Sequence, residues 1–118
     1  DLHRSRYMDY VQDVSVFMVS NYRLQVLDPV IRRRIAGVIC RFYGIAAEFA
    51  ARNDDSTFEL RLALGLVRSL ATSTRFILDR KLARGMFLRA RYLLEQIVRL
   101  EHGAVHDYRV PVRDIFCG

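Results

Sequence analysis

Residues 58–78 read FELRLALGLVRSLATSTRFIL, and this stretch decides the fold. Turned through 100° per residue, it lays Leu60, Ala63, Leu64, Val67, Leu70, Ala71, Ile77 and Leu78 along one broad arc. Phe58, Leu62, Leu66 and Phe76 form a second arc, accompanied by the small residues Gly65, Ser69 and Ser73. Between the arcs runs a narrow stripe of Arg61, Arg68 and Arg75, spaced by seven. A helix that is apolar over most of its circumference is buried on more than one side. The first arc is expected to face the chain's own core. The second, with Leu62, Gly65, Leu66, Ser69, Ser73 and Phe76, is expected to face another subunit, the small residues allowing close approach. The plainer alternative is a broad core with a few exposed apolar side chains, as on any protein surface.

Working outward, Ser56 and Glu59 have capping-box spacing and predict the start of this third helix. Asn53-Asp54-Asp55 predicts the turn before it. Asp28-Pro29 opens a second helix, Asp as N-cap and Pro in the first turn. Its stripe of Ile31, Ile35, Val38, Ile39, Phe42, Ile45, Ala46 and Phe49 continues to about Arg52. A first helix runs from Ser5 to Tyr22 on Tyr7, Tyr10, Val11, Val14, Phe17, Met18 and Val19. Met8, Val16, Tyr22, Leu24, Val26 and Leu27 are apolar in excess of that stripe, again pointing to a homo-oligomer. Asp79 to Ala83 reads as a joint. A fourth helix then runs from Arg84 to His106 with Phe87, Ala90, Leu94, Ile97 and Val98 inward. Short joints make neighbouring helices antiparallel. The expectation is therefore an all-α, up-down four-helix bundle over residues 1–106, assembled into a closed homo-oligomeric ring. Residues 107–118 alternate Tyr108, Val110 and Val112 with Arg109, Pro111 and Arg113, and helix cannot run through Pro111. They read as an extended arm docked on the bundle or a partner, or as a disordered end.

Composition sets the outer bounds. In 118 residues, 52% are hydrophobic and 27% charged, which excludes general disorder and fits one domain. Cys40 and Cys117 make no disulfide framework, and a reduced compartment is the simpler reading. No apolar run approaches the roughly 20 residues of a membrane span. The charged opening from Asp1 to Tyr7 reads as no signal peptide, and a cytoplasmic location is expected. The formal net charge is +6, and Lys81 is the one lysine among 19 basic residues. Such an excess favours an anionic partner, and the guanidinium fork suits phosphate. Codon bias in a GC-rich genome also turns Lys into Arg, but it leaves the net charge unexplained.

A catalytic centre needs a convergent polar constellation, and the sequence offers none. His102 and His106 are four apart and could share a helix face, but the Glu between the histidines of a zinc-protease motif is absent. A solvent-facing pair at a helix C-terminus is the simpler account. Glu48, near Arg41 and Arg52, reads as one partner of a charge pair on a solvated flank. Cys40 reads as a small buried side chain. No enzyme activity, metal, cofactor or small-molecule substrate is expected. The basic rows carry more signal. Arg34, Arg41 and Arg52 fall together on helix two, flanked by Arg32 and Arg33; Arg61, Arg68 and Arg75 align on helix three; Arg84 and Arg91 align on helix four, with Arg89 and Arg99 elsewhere on it. Such rows can track a phosphate backbone without reading bases. Solvated flanks between subunits are the other reading.

Three stretches resemble a known family. Ala50-Ala51-Arg52 with Asn53 to Phe58 is similar to its polar break between helices two and three. Ala63-Leu64-Gly65-Leu66-Val67-Arg68 is similar to its small-residue patch in helix three. Phe87 through Gln96-Ile97-Val98-Arg99-Leu100 is similar to its fourth helix. The family is that of small four-helix bundle proteins that includes the accessory variability determinants of diversity-generating retroelements and the bundle protein encoded in ribosomal RNA intervening sequences. The likeness covers Tyr7 to Gly103. Gln96 and Val98 depart from it, standing where the family often has Glu and Gly.

The resemblance implies a basic, barrel-shaped homopentamer that binds the element's reverse transcriptase and its template RNA or cDNA during mutagenic retrohoming, and is not itself catalytic. Arg34, Arg41, Arg52, Arg61, Arg68, Arg75 and Arg99 are the positions it singles out, and Arg32, Arg33, Arg84 and Arg91 extend the basic surface. Two rivals stand beside this reading: an interaction bundle of the intervening-sequence type with no nucleic-acid role, and a helical subunit of an RNA-guided nuclease complex. The last would form a filament along RNA rather than a ring.

Overall fold

The computed structural model describes residues 2–24, 26, 28–77 and 79–117, and the side chains of these except 2–9, 76 and 102. It is all-helical among the described residues, with four long helices: α1 (Leu2–Tyr22), α2 (Pro29–Arg52), α3 (Phe58–Ser73) and α4 (Arg80–Val98). A 3-10 turn at Thr74–Phe76 precedes α4, another at His102–Ala104 follows it, and α5 (Val112–Phe116) ends the fold.

Two helix starts are set by capping aspartates, the first of which the sequence suggests. Asp28 accepts from the Val30 amide at 2.9 Å and caps α2 ahead of Pro29. Asp79 accepts from the amides of Lys81 and Leu82. The expected joint at Asp79 to Ala83 is therefore a cap and the first turn of α4. Between α2 and α3 the chain turns through Asp54, whose φ of 53° is left-handed backbone that Asp tolerates. The capping box does not form: Thr57 occupies the N-cap position, and Glu59 points into the protein. α4 ends at Val98 rather than His106, because Glu101 is extended and a short 3-10 turn follows. His102 and His106 therefore share no helix face.

α1 lies between α2 and α3, packing on both, and α3 packs on α4; α2 and α3, though consecutive, meet only lightly. The core is built from Val11, Val14, Met18 and Val19 of α1, Ile39 and Ala46 of α2, Leu62, Ala63, Leu66 and Leu70 of α3, and Met86, Ala90 and Leu93 of α4. α5 closes against α2 and adds Val112, Ile115 and Phe116 to it. Val110, Val112, Ile115 and Phe116 thus join the core, and the segment read as an extended or disordered arm carries a short helix instead. Its edge-on contact of Phe116 with Tyr22, centroids 5.5 Å apart, reaches α1 as well.

The inward faces of α3 and α4 differ from expectation. Leu62 and Leu66, read as a subunit contact, have no exposed surface, whereas Leu64 is exposed and Leu60 half-buried. Gly65 meets α1 within the same chain: a Cβ there would lie 2.8 Å from Ser15 Oγ. On α4 the inward row is Met86, Ala90, Leu93 and Ile97, and Phe87, Leu94 and Val98 face out. Both rows of α4 repeat at the same spacing, offset by one residue. Periodicity alone cannot rank them, and the arginines that flank the Phe87 row keep it at the surface.

Candidate nucleic-acid interface

The arginines divide into two groups, those that hold the fold together and those left in solvent. Arg32 belongs to the first. It donates to the carbonyls of Tyr22, at 3.3 Å, and Leu24, at 2.8 Å, satisfying acceptors at the end of α1. Its guanidinium also lies 5.7 Å from the Tyr22 ring centre. Arg61 is half-buried, bound to Asp55 at 2.6 Å and Thr57 at 3.1 Å, with the Tyr10 ring 5.8 Å away. The Tyr10 hydroxyl donates to the same Asp55. Burial, then the Asp55 carboxylate, raises the Tyr10 pKa to about 12. Arg89 is a third such residue, not singled out by sequence. Its Nε donates to the Ile115 carbonyl at 2.7 Å and its guanidinium lies 5.1 Å from the Tyr22 ring centre, clasping the tail to α4 and α1. Nothing local in the sequence marks Arg89 for this role, because its partner lies 26 residues away.

The second group faces water. Arg33, Arg34, Arg41 and Arg52 on α2 are exposed, and none has an ion-pair partner among the described residues. Glu48 is exposed as well and pairs with neither Arg41 nor Arg52. Arg68 on α3 and Arg84 on α4 are exposed, as is Arg99 at the end of α4. Arg91 makes a solvent-exposed pair with Glu95 at 3.2 Å, the kind of contact worth little. Arg75 is exposed and lies in the 3-10 turn that follows α3. The three-membered row expected on α3 is therefore interrupted by the inward pairing of Arg61.

A second pattern runs beside the exposed arginines. α2 presents Ile31, Val38, Ile45 and Phe49 to solvent, Ile45 with 58% of its surface exposed, directly beside the Arg34–Arg41–Arg52 row. α4 repeats the device with Phe87, Leu94 and Val98 beside Arg84 and Arg91, Val98 being 76% exposed. Between α1 and α3, Val16 and Leu64 line a groove of about 680 Å³ together with Arg61, Arg68, Gly65 and Ser69. Three faces of the molecule thus set exposed apolar side chains beside guanidiniums. Of the other residues read as a subunit contact, Ser69 and Ser73 are half-buried, and the Phe76 side chain lies outside the described residues.

Among the described residues, no group of three or more His, Cys, Asp or Glu side chains could hold a metal ion. No helix among them is long and apolar enough to cross a membrane. Compared with family models, curated proteins and solved structures, the chain matches none.

Proposed function

We propose that this chain is a non-catalytic, basic accessory protein that binds nucleic-acid backbone and a polymerase partner. The fuller form of the reading is the one implied by the family resemblance: an antiparallel up-down bundle, closed into a homopentameric ring, that serves a reverse transcriptase of a diversity-generating retroelement and its RNA or cDNA. The observation that carries the nucleic-acid part is the exposed, unpaired row of Arg34, Arg41 and Arg52 with Arg33 beside it. Guanidiniums at helical pitch can hold successive phosphates, and their binding energy comes chiefly from released counterions, which makes it steeply salt-dependent. The subunit contact in this reading moves from α3 to the apolar rows of α2 and α4, since Leu62 and Leu66 already serve the chain's own core.

The test is a titration against labelled single-stranded RNA and duplex DNA at several salt concentrations, with the triple variant Arg34→Glu, Arg41→Glu, Arg52→Glu alongside. Binding that falls steeply with salt, and is lost in the variant while helicity is kept, supports the reading. Equal binding by the variant overturns the assignment of this row.

The exposed Val38, Ile45 and Phe49 favour a second reading, an interaction bundle that docks protein and no nucleic acid. It predicts no RNA or DNA binding even at low salt. Particle shape separates a closed ring from the filament of an RNA-guided complex.

A further inference from the structure

The sulfurs of Cys40, in the middle of α2, and Cys117, one residue past α5, lie 3.1 Å apart, although 77 residues separate them in sequence. Both are free thiols. Three independent contacts set this approach: Val112, Ile115 and Phe116 are buried, Arg89 holds the Ile115 carbonyl, and α5 packs along α2. The tail is thereby fixed on both sides of the last turn before Cys117. Cys117 is exposed and Cys40 half-buried, so one sulfur is open to a reagent and the other sits behind it.

We propose that Cys40 and Cys117 form a reversible disulfide that staples the C-terminal helix to α2, with a low-molecular-weight aliphatic disulfide as oxidant. The Cys117 thiolate attacks one sulfur of the small disulfide, forms a mixed disulfide and expels one thiolate. Cys40 then gives up its proton and attacks the Cys117 sulfur, expelling the second small thiolate. One protein disulfide forms, one small disulfide is reduced to two thiols, and the two thiol protons leave with them. The order of attack follows from access. Burial, and then the neighbouring Cys117, raise the Cys40 thiol to about 11, partly offset by Arg113, which disfavours Cys40 as the first attacker.

The bond would change how the tail behaves. α5 is five residues long and packs on α2, so it can open as a local unit without unfolding the four long helices. A staple at its far end converts that opening into one that must strain α2. It also constrains the unfolded chain across a long loop.

The experiment treats the intact chain with oxidised glutathione and follows it by mass and peptide mapping. The expected product is a single chain, free of intermolecular disulfides and lighter by two hydrogens, yielding a Cys40–Cys117 linked peptide and resisting alkylation until reduced. Its C-terminal segment should be removed by carboxypeptidase at least tenfold more slowly than that of the reduced form. The variant Cys40→Ser should instead accumulate a stable mixed disulfide on Cys117. Stable glutathione adducts on the unmodified sequence, or disulfide-linked dimers as its main product, would overturn the proposal. So would equal carboxypeptidase rates for the oxidised and reduced forms.

Discussion

Tyr43 on α2 donates its hydroxyl to the carboxylate of Glu59 on α3, with oxygen distances of 2.7 and 2.9 Å. The same carboxylate accepts the backbone amide of Val110 at 2.8 Å, so one buried acid ties α2, α3 and the C-terminal segment together. The cost of burying it is met by two donors, the Tyr43 hydroxyl and the Val110 amide. Glu59→Ala leaves the tyrosine hydroxyl and the Val110 amide without an acceptor. It should lower unfolding stability by about 3 kcal/mol. Urea denaturation checks this, and the neutral, isosteric Glu59→Gln should lose less than the alanine variant.

Gly65 marks the point where α3 presses on α1. A Cβ there would come within 2.8 Å of Ser15 Oγ and 3.0 Å of Ser15 Cβ, and the second atom cannot rotate away. Gly65→Ala should therefore destabilise by about 1–2 kcal/mol, despite the better helix propensity of alanine. Adding Ser15→Gly removes both contacting atoms and should recover the packing part of the loss. Independent, additive losses in the double variant would show that the two residues do not meet.

The helices themselves are legible in the sequence, and the side each one buries is not. Asp28-Pro29 places α2 correctly because a cap and a proline act locally. α3 and α4 carry two apolar rows each, and a row spaced for a helix face looks the same whether it meets a core or water. Leu62 and Leu66 are buried by α1 and α4, whose positions no local pattern encodes. Glu59 has capping-box spacing, but its partners, Tyr43 and Val110, lie 16 and 51 residues away. Likewise Arg32, Arg61 and Arg68 are alike in sequence. Only the tertiary arrangement brings Arg61 to Asp55 and Arg32 to the end of α1, while Arg68 stays exposed.

That division predicts unequal effects of charge reversal. Arg61→Glu sets a carboxylate against Asp55 and removes the guanidinium from the Tyr10 ring. Because the Asp55 side chain is only 10% exposed, the loss should be about 2–3 kcal/mol of stability. Arg68→Glu, at an exposed position, should stay within about 0.5 kcal/mol. Thermal or urea unfolding of the two single variants makes the comparison. Equal losses would show that the Asp55 pair contributes nothing.

Alkali provides a separate probe of the same contacts. Tyr10 and Tyr108 are each raised to about 12, and Tyr43 is raised further still; burial is the first cause in every case. For Tyr10 and Tyr43 the next cause is a bonded carboxylate, and for Tyr108 it is the nearby charge of Glu59. A folded-state pKa above the unfolded value means that the folded chain keeps its phenolic protons longer. The resulting stability is complete below about pH 10, falls as pH rises above it, and is gone once pH has passed the folded values, about 12 for Tyr10 and Tyr108. Absorbance at the phenolate band should therefore show these three tyrosines ionising late, with unfolding setting in as they do. Tyr43→Phe removes the highest of the three and should flatten the alkaline fall in stability, while costing stability at neutral pH because Glu59 loses a donor. A variant that is as stable as the parent at neutral pH, and unfolds at the same alkaline pH, would show that the Tyr43–Glu59 bond is not what joins α2 to α3.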